Sequence, residues 1–258
     1  MKIAVGVALT VALVLCSVPA EANSFLRIDV GGTTLTCDNS SGAGVAACTA
    51  AGFSTALGGN TITFSGTVNG VNIGAPGVDG VTVTGNSPGT AALSFVMASE
   101  TVLANLSGAS RTVTIDFGQN NFTLPVGATT LSASDTANWT SSQAGDSAAY
   151  TAWVRGDNTF TIPGGGPGGA LVGPLTTCVS AGGVAQSCAQ SATNAGVTAV
   201  APFALTGRQV LVMANGTIGA YSATVGLAPR AVPEPSSLLL LGTGILIFAG
   251  HRFKNRKR

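Results

Sequence analysis

Thr61-Ile62-Thr63-Phe64-Ser65-Gly66-Thr67-Val68-Asn69-Gly70-Val71-Asn72-Ile73 decides the fold class of this chain. Apolar and polar residues alternate on both sides of Asn69-Gly70, the period of a strand with one face turned to a core. Asn-Gly between two such runs signals a hairpin, because a type I′ turn demands positive φ at both central positions. The pattern recurs in both directions. Leu26-Arg27-Ile28-Asp29-Val30 alternates, and Asp79-Gly80 leads into Val81-Thr82-Val83-Thr84. Residues 91–98, 111–117, 150–155 and 158–162 are further strand candidates. Residues 209–213 and 218–226 flank Asn215-Gly216 and read as a second hairpin, while residues 100–106 read as a short helical turn. Short strands punctuated by Gly, Asn and Pro predict an all-β fold, an antiparallel β-sandwich whose order, jelly-roll-like or Ig-like, stays open.

The two ends read differently and set the domain limits. Residues 1–22 form a signal peptide: Lys2 is the basic n-region, residues 3–15 are apolar, and Ala20-Glu21-Ala22 fits the small-x-small cleavage rule. Cleavage after Ala22 leaves Asn23 as the mature N-terminus, and Cys16 departs with the signal helix. Residues 23–231 are the exported body. Within it, residues 163–169 (Pro-Gly-Gly-Gly-Pro-Gly-Gly) read as a flexible loop rather than a linker, since few strands follow. Residues 232–258 are a separate tail. Val232-Pro233-Glu234-Pro235 precedes an apolar run, then a basic end containing Arg252, Lys254, Arg256, Lys257 and Arg258. A transmembrane helix over about 235–251 fits this pattern, with Pro235 in its first turn, where a missing N–H costs nothing. Carried on to Phe253, the helix reaches roughly 28 Å against a hydrocarbon core of ~30 Å. The basic end stays cytoplasmic by the positive-inside rule.

Charge in the body excludes several functions. It holds five Arg (27, 111, 155, 208, 230), no Lys and no His, against seven Asp and the single Glu100, a net of −3. A weakly acidic body without a basic stripe argues against a nucleic-acid partner. Without His or Lys, neither a Ser-His-Asp nor a Cys-His arrangement can be assembled, and His251 lies beyond the apolar run. Asp135-Thr136-Ala137 shares two residues with the Asp-Thr-Gly of aspartic proteases but has no second copy, and a turn accounts for it. The expectation is a non-enzymatic protein without a cofactor. A carbohydrate-binding module, or a secreted glycan-acting enzyme using a carboxylate pair, is the rival class.

Four cysteines outlast the signal: Cys37, Cys48, Cys178 and Cys188. An even count in an exported chain favours disulfides, and three connectivities are open to four cysteines. The local pairs Cys37–Cys48 and Cys178–Cys188 are preferred, each closing a Gly/Ala/Ser-rich loop. Zinc has neither a C-x-x-C pair nor a body histidine to bind it. Asp135, Asp146 and Asp157 recur every eleven residues and are weak calcium candidates, without the D-x-D-x-D-G run of a defined loop. Trp139, Tyr150 and Trp153 are candidates for stacking on sugars if exposed, and core residues otherwise.

Pro233-Glu234-Pro235, the apolar run to Gly250 and the Arg/Lys end, in that order, closely resemble the PEP-CTERM sorting signal of Gram-negative bacteria. Residues 202–225 also look like the final strands common in that family. The resemblance implies an exosortase as partner, a membrane-embedded cysteine protease or transpeptidase that cuts near Pro-Glu-Pro. It further implies an inner-membrane precursor with transient anchoring, then a mature protein at the cell surface or in an extracellular, biofilm-type matrix. Exopolysaccharide is a candidate partner on the same ground. A permanently anchored surface protein is the competing outcome, because a helix with a basic end has the same physics whether or not it is removed.

Overall fold

The computed structural model describes residues 22–74, 80–160, 162 and 170–230. The expected signal peptide up to residue 21, the loop expected at 163–169, and the 232–258 tail with its expected transmembrane helix lie outside the described residues. Among the described residues, no helix is long and apolar enough to cross a membrane.

Among the described residues, fourteen strands and one helix follow in chain order: β1 Ser24–Val30, β2 Thr33–Asp38, α1 Gly42–Ala50, β3 Phe53–Thr55, β4 Thr61–Phe64, β5 Gly66–Val68 and β6 Val71–Ile73. Then come β7 Val81–Gly85, β8 Ser94–Asn105, β9 Arg111–Phe122, β10 Gly127–Arg155, β11 Ala170–Val172, β12 Cys178–Ala199, β13 Phe203–Met213 and β14 Ile218–Pro229. The hydrogen-bonded path runs β2-β1-β9-β13-β10-β14-β8-β7-β4-β3, with β11 and β12 on β10 and the β5–β6 hairpin attached to β8. Antiparallel pairing holds throughout, as expected for a sandwich.

One strand belongs to both layers. Residues 129–141 of β10 pair with β14, whereas residues 147–155 pair with β13. The register breaks between, where Gly145 takes φ +95°. A strand that bends in this way turns the corner of a sandwich. The β2-β1-β9-β13 layer therefore faces the β14-β8-β7-β4-β3 layer. Leu26, Ile28, Ile115, Phe117 and Leu205 from the first meet Ile62, Val83, Val96, Leu103 and Val225 from the second in one buried core. The alternation read from the sequence survives as alternating burial along β1, β8 and β14.

The first Asn-Gly forms its hairpin. Val68 faces Val71, with Asn69 at φ +45° and Gly70 at φ +79°. The run before it divides at Ser65, so that β4 joins β3 and β7 while β5 joins β6. The second Asn-Gly makes no hairpin. β13 and β14 sit on different halves of the bent β10, and the turn crosses between layers with positive φ only at Gly216.

Residues 100–106 are not a helical turn but mostly the end of β8, because Glu100 is held between Val81 of β7 and Tyr221 of β14. The strand expected at 158–162 is replaced, at its described residues, by a turn. Asn158 takes φ +56° and its Oδ1 accepts from the Asn121 amide. Helix α1 carries no amphipathic signal. It starts at Ser41, whose hydroxyl accepts from Gly44 N, and buries Cys48. Few strands were expected after residue 169, yet β11 to β14 all lie there. β12 escapes notice because Ala, Ser and Gly lack the branched and aromatic side chains that mark strands.

Both local disulfides are present. Cys37–Cys48 ties β2 to α1 with Cα atoms 4.7 Å apart. Cys178 and Cys188 lie in one strand, yet their Cα atoms are 5.8 Å apart. β12 follows β10 around the corner, Cys178 opposite Ala148 and Cys188 opposite Ala137, and the disulfide closes that bend. The positive φ values of Gly182, Gly183 and Ala185 supply the curvature. Closing a loop of this length contributes about 3 kcal/mol in the chain-entropy account.

Candidate functional site

The three sugar-stacking candidates are all buried. Trp139 and Tyr221 pack edge-to-face at 6.3 Å, and Tyr150 stacks on Phe117 at 6.0 Å. Trp153 lies on the outer face of β10 but is only 6% exposed. Substituting Trp139 or Trp153 would therefore test folding before it tested a ligand. Beside Trp139, Asn138, Thr140, Val184 and Gln186 line a shallow groove at the corner.

The three eleven-spaced aspartates do not converge. Asp135 accepts from Gln209 Nε2 at 2.5 Å in the interior. Asp146 accepts from Gln143 N, Ala214 N and Thr217 Oγ1 at the corner. Asp157 binds Arg155 through Nε at 3.1 Å and through the second guanidinium nitrogen at 2.5 Å. That pair draws the Asp157 carboxyl below its usual range. Among the described residues, no group of three His, Cys, Asp or Glu side chains is placed to hold a metal.

Two clusters emerge that the sequence did not announce. The first is internal. Glu100 is 1% exposed and neither carboxyl oxygen has a hydrogen-bond partner. Burial pushes its pKa well above the ordinary value, and Asp135 pushes the same way. Asp135 itself rises from 3.8 to about 6, again through burial, against the lowering effect of the Gln209 hydrogen bond. Tyr150 and Tyr221 are raised too, first by burial and then by nearby carboxylates. These acids are sealed among core side chains, so their protonation bears on stability. Burying them costs free energy unless they are neutral or hydrogen-bonded.

The second cluster is on the outer face of the β1-β9-β13 layer. Register places Arg27 opposite Asp116 and Asp116 opposite Arg208. Asp116 accepts from Arg208 Nε at 2.6 Å and pairs with Arg27 at 2.9 Å. The Asp116 carboxylate holds the Arg208 pKa above its ordinary value. Two guanidinium groups share one carboxylate, leaving an excess positive charge on an acidic body. In the next outward row, Phe25 lies opposite Gly118, and Phe25 stacks on Phe160 at 5.4 Å. Gly118 leaves room there, since an added Cβ would come within 2.8 Å of Thr206 and 3.3 Å of Phe160. The sequence signal was available in principle: Phe25 and Arg27 share a strand face with period two. Their partners Asp116, Phe160 and Arg208 are distant in sequence, and only the strand order collects them.

Ala22 is buried, and β1 begins at Ser24, one residue past the expected mature N-terminus. Val232, Pro233, Glu234, Pro235, Ala20 and the basic residues 252–258 lie outside the described residues.

Among solved structures, TmCBM61 in complex with β-1,4-galactotriose is similar at 12% identity, covering 57% of this chain and 87% of that one, with a TM-score of 0.26. The Clostridium thermocellum xylanase 10B CBM22-1–GH10 modules complexed with xylohexaose show 12% identity over 66% of this chain and 28% of theirs, TM-score 0.28. The enzymatically active domain of bacteriophage CBA120 tailspike protein 4 shows 12% identity over 61% and 21%, TM-score 0.23. Superposition this partial says nothing of ligand or activity. No curated protein matches the chain. Residues 231–253 match the family model of the PEP-CTERM protein-sorting motif, and the chain therefore carries that sorting signal directly after its β-rich body.

Proposed function

We propose that this is an exported, non-enzymatic surface or extracellular-matrix protein, cut by an exosortase near Pro233-Glu234-Pro235, whose β-body works structurally or adhesively. The observation that carries the reading is the sorting motif at residues 231–253, beginning two residues after β14 ends at Pro229. The chemistry of the body supports the non-enzymatic part. It has no His or Lys, and Glu100, Asp116, Asp135 and Asp146 are each at most 2% exposed. Asp29 is spent on its own turn, accepting from Gly32 N and Thr34 Oγ1. Mass spectrometry of the mature protein is the direct test. The expected C-terminus lies near Pro235, and finding Arg258 on surface-associated protein would favour permanent anchoring.

The outer strip of Phe25, Phe160, Arg27 and Arg208 favours a second reading, contact with a glycan. A ring face offers stacking and a guanidinium offers hydrogen bonds to hydroxyl or carboxylate groups. On that reading, Arg27→Ala lowers retention on an acidic polysaccharide column at least threefold while leaving the thermal midpoint nearly unchanged. Equal retention of the wild type and the variant would refute it.

A further inference from the structure

Among the described residues, β2, β3, β5, β11 and β12 each pair on one side only, and β12 is by far the longest of them. At one side, α1 connects β2 of the first layer to β3 of the second, and Cys37–Cys48 fastens it there. β3 is three residues long, so little backbone is open on that edge. The first layer ends on its other side at β11, also three residues. Short edge strands and covering helices are the devices by which proteins suppress edge-to-edge pairing.

β12 has none of these devices. It is 22 residues long and pairs on one side only, with β10. Residues 158–207 contain no charged side chain, so no Lys or Glu guards the strand, and no proline occurs within it. Beyond the corner, residues 186–194 run in unbroken register with residues 131–139 of β10. Their outward backbone groups pair with no other described segment. Alternate side chains stand exposed, and Val179 and Val184 are 63% and 76% exposed.

We propose that β12 pairs with β12 of a second copy of this chain, antiparallel, so that the second layers of two bodies form one continuous sheet. Among the described residues, one long open edge selects this partner. β3, β5 and β11 are three residues each, and β2 is six and tied at Cys37 to α1, so no other described edge matches β12 in length. The isologous contact satisfies both strands at once and closes as a two-fold dimer rather than a filament. Neutrality removes the repulsion that two like-charged edges would meet. The inference does not depend on the sorting reading, because every residue it uses lies in the body.

Sedimentation velocity on the full chain in density-matched detergent tests this. The expected wild-type particle has twice the 25.2 kDa chain mass. Ala189→Lys combined with Thr193→Lys places charges on the exposed face of the edge strand and is expected to raise the dimer dissociation constant at least tenfold. Thr193→Gln, neutral, is expected to leave it within twofold. A wild-type monomer at tens of micromolar overturns the proposal. So does a double-lysine variant that stays dimeric, since association then uses another surface. Should that variant misfold, hydrogen exchange of wild-type residues 186–194 decides: protection that rises with protein concentration supports the pairing, and protection independent of concentration overturns it.

Discussion

Asp146→Ala is expected to destabilise the body by about 4 kcal/mol, since hydrogen bonds to a charged group contribute roughly 1.5–3 kcal/mol each and do not add fully. Asp146 is 2% exposed, and one carboxylate joins three segments at the corner. Oδ2 accepts from Gln143 N at 2.7 Å and Thr217 Oγ1 at 2.5 Å, and Oδ1 accepts from Ala214 N at 2.7 Å. Gln143 lies in the bend of β10, Ala214 just past β13, and Thr217 just before β14. Alanine would leave two backbone donors and a hydroxyl without an acceptor where the layers meet. Asp146→Asn keeps one acceptor and loses about half as much. Urea unfolding at pH 7 reads both variants. A loss below about 1 kcal/mol for alanine would mean that water replaces the carboxylate, and the corner would then not depend on it.

The second large effect is a dependence on pH opposite to that of most folded proteins. Asp135 titrates at about 6 instead of 3.8, and Glu100 is raised in the same direction. For a raised acid, the folded state binds more protons than the unfolded state between the two pKa values, so stability falls as pH rises through that window. The share due to Asp135 is present in full below about pH 4 and is lost by about pH 7, on the order of 3 kcal/mol. Asp157 works in reverse, because Arg155 lowers its pKa and its contribution fades as pH falls. It is 32% exposed, so its contribution is small. The unfolding free energy is therefore expected to be larger at pH 5 than at pH 7.5. Asp135→Asn should flatten the profile between pH 4 and 7. Glu100→Gln should stabilise the protein at pH 7.5 and have little effect at pH 4, because glutamine needs no proton to be neutral. A profile that rises from pH 5 to 7.5 would contradict this account of the interior.

Legibility in the sequence followed the type of signal. Val68-Asn69-Gly70-Val71 encodes a local event, two positive-φ residues between extended runs, and the turn forms as encoded. Asn215-Gly216 carries the same letters but joins β13 to β14 across a bent strand, so long-range pairing overrides the turn signal. Glu100 reads as the start of a helical turn from its neighbours. Only the facing strands β7 and β14 explain a carboxyl group at an interior position of β8. β12 was silent because small residues say little about strands until a partner is present.

The sequence by itself determined the outline of this protein: the sorting motif and an alternating β-rich body, with the local cysteine pairs as the preferred connectivity. Each of these depends on residues close together in the chain, where composition and spacing act directly. The tertiary structure decided the rest: the corner in β10, the sealed Glu100–Asp135 interior, the Arg27–Asp116–Arg208 row and the bare edge of β12. Strand order is the physical reason. It brings residues separated by most of the body within hydrogen-bond reach, and no local pattern encodes which strand lies beside which.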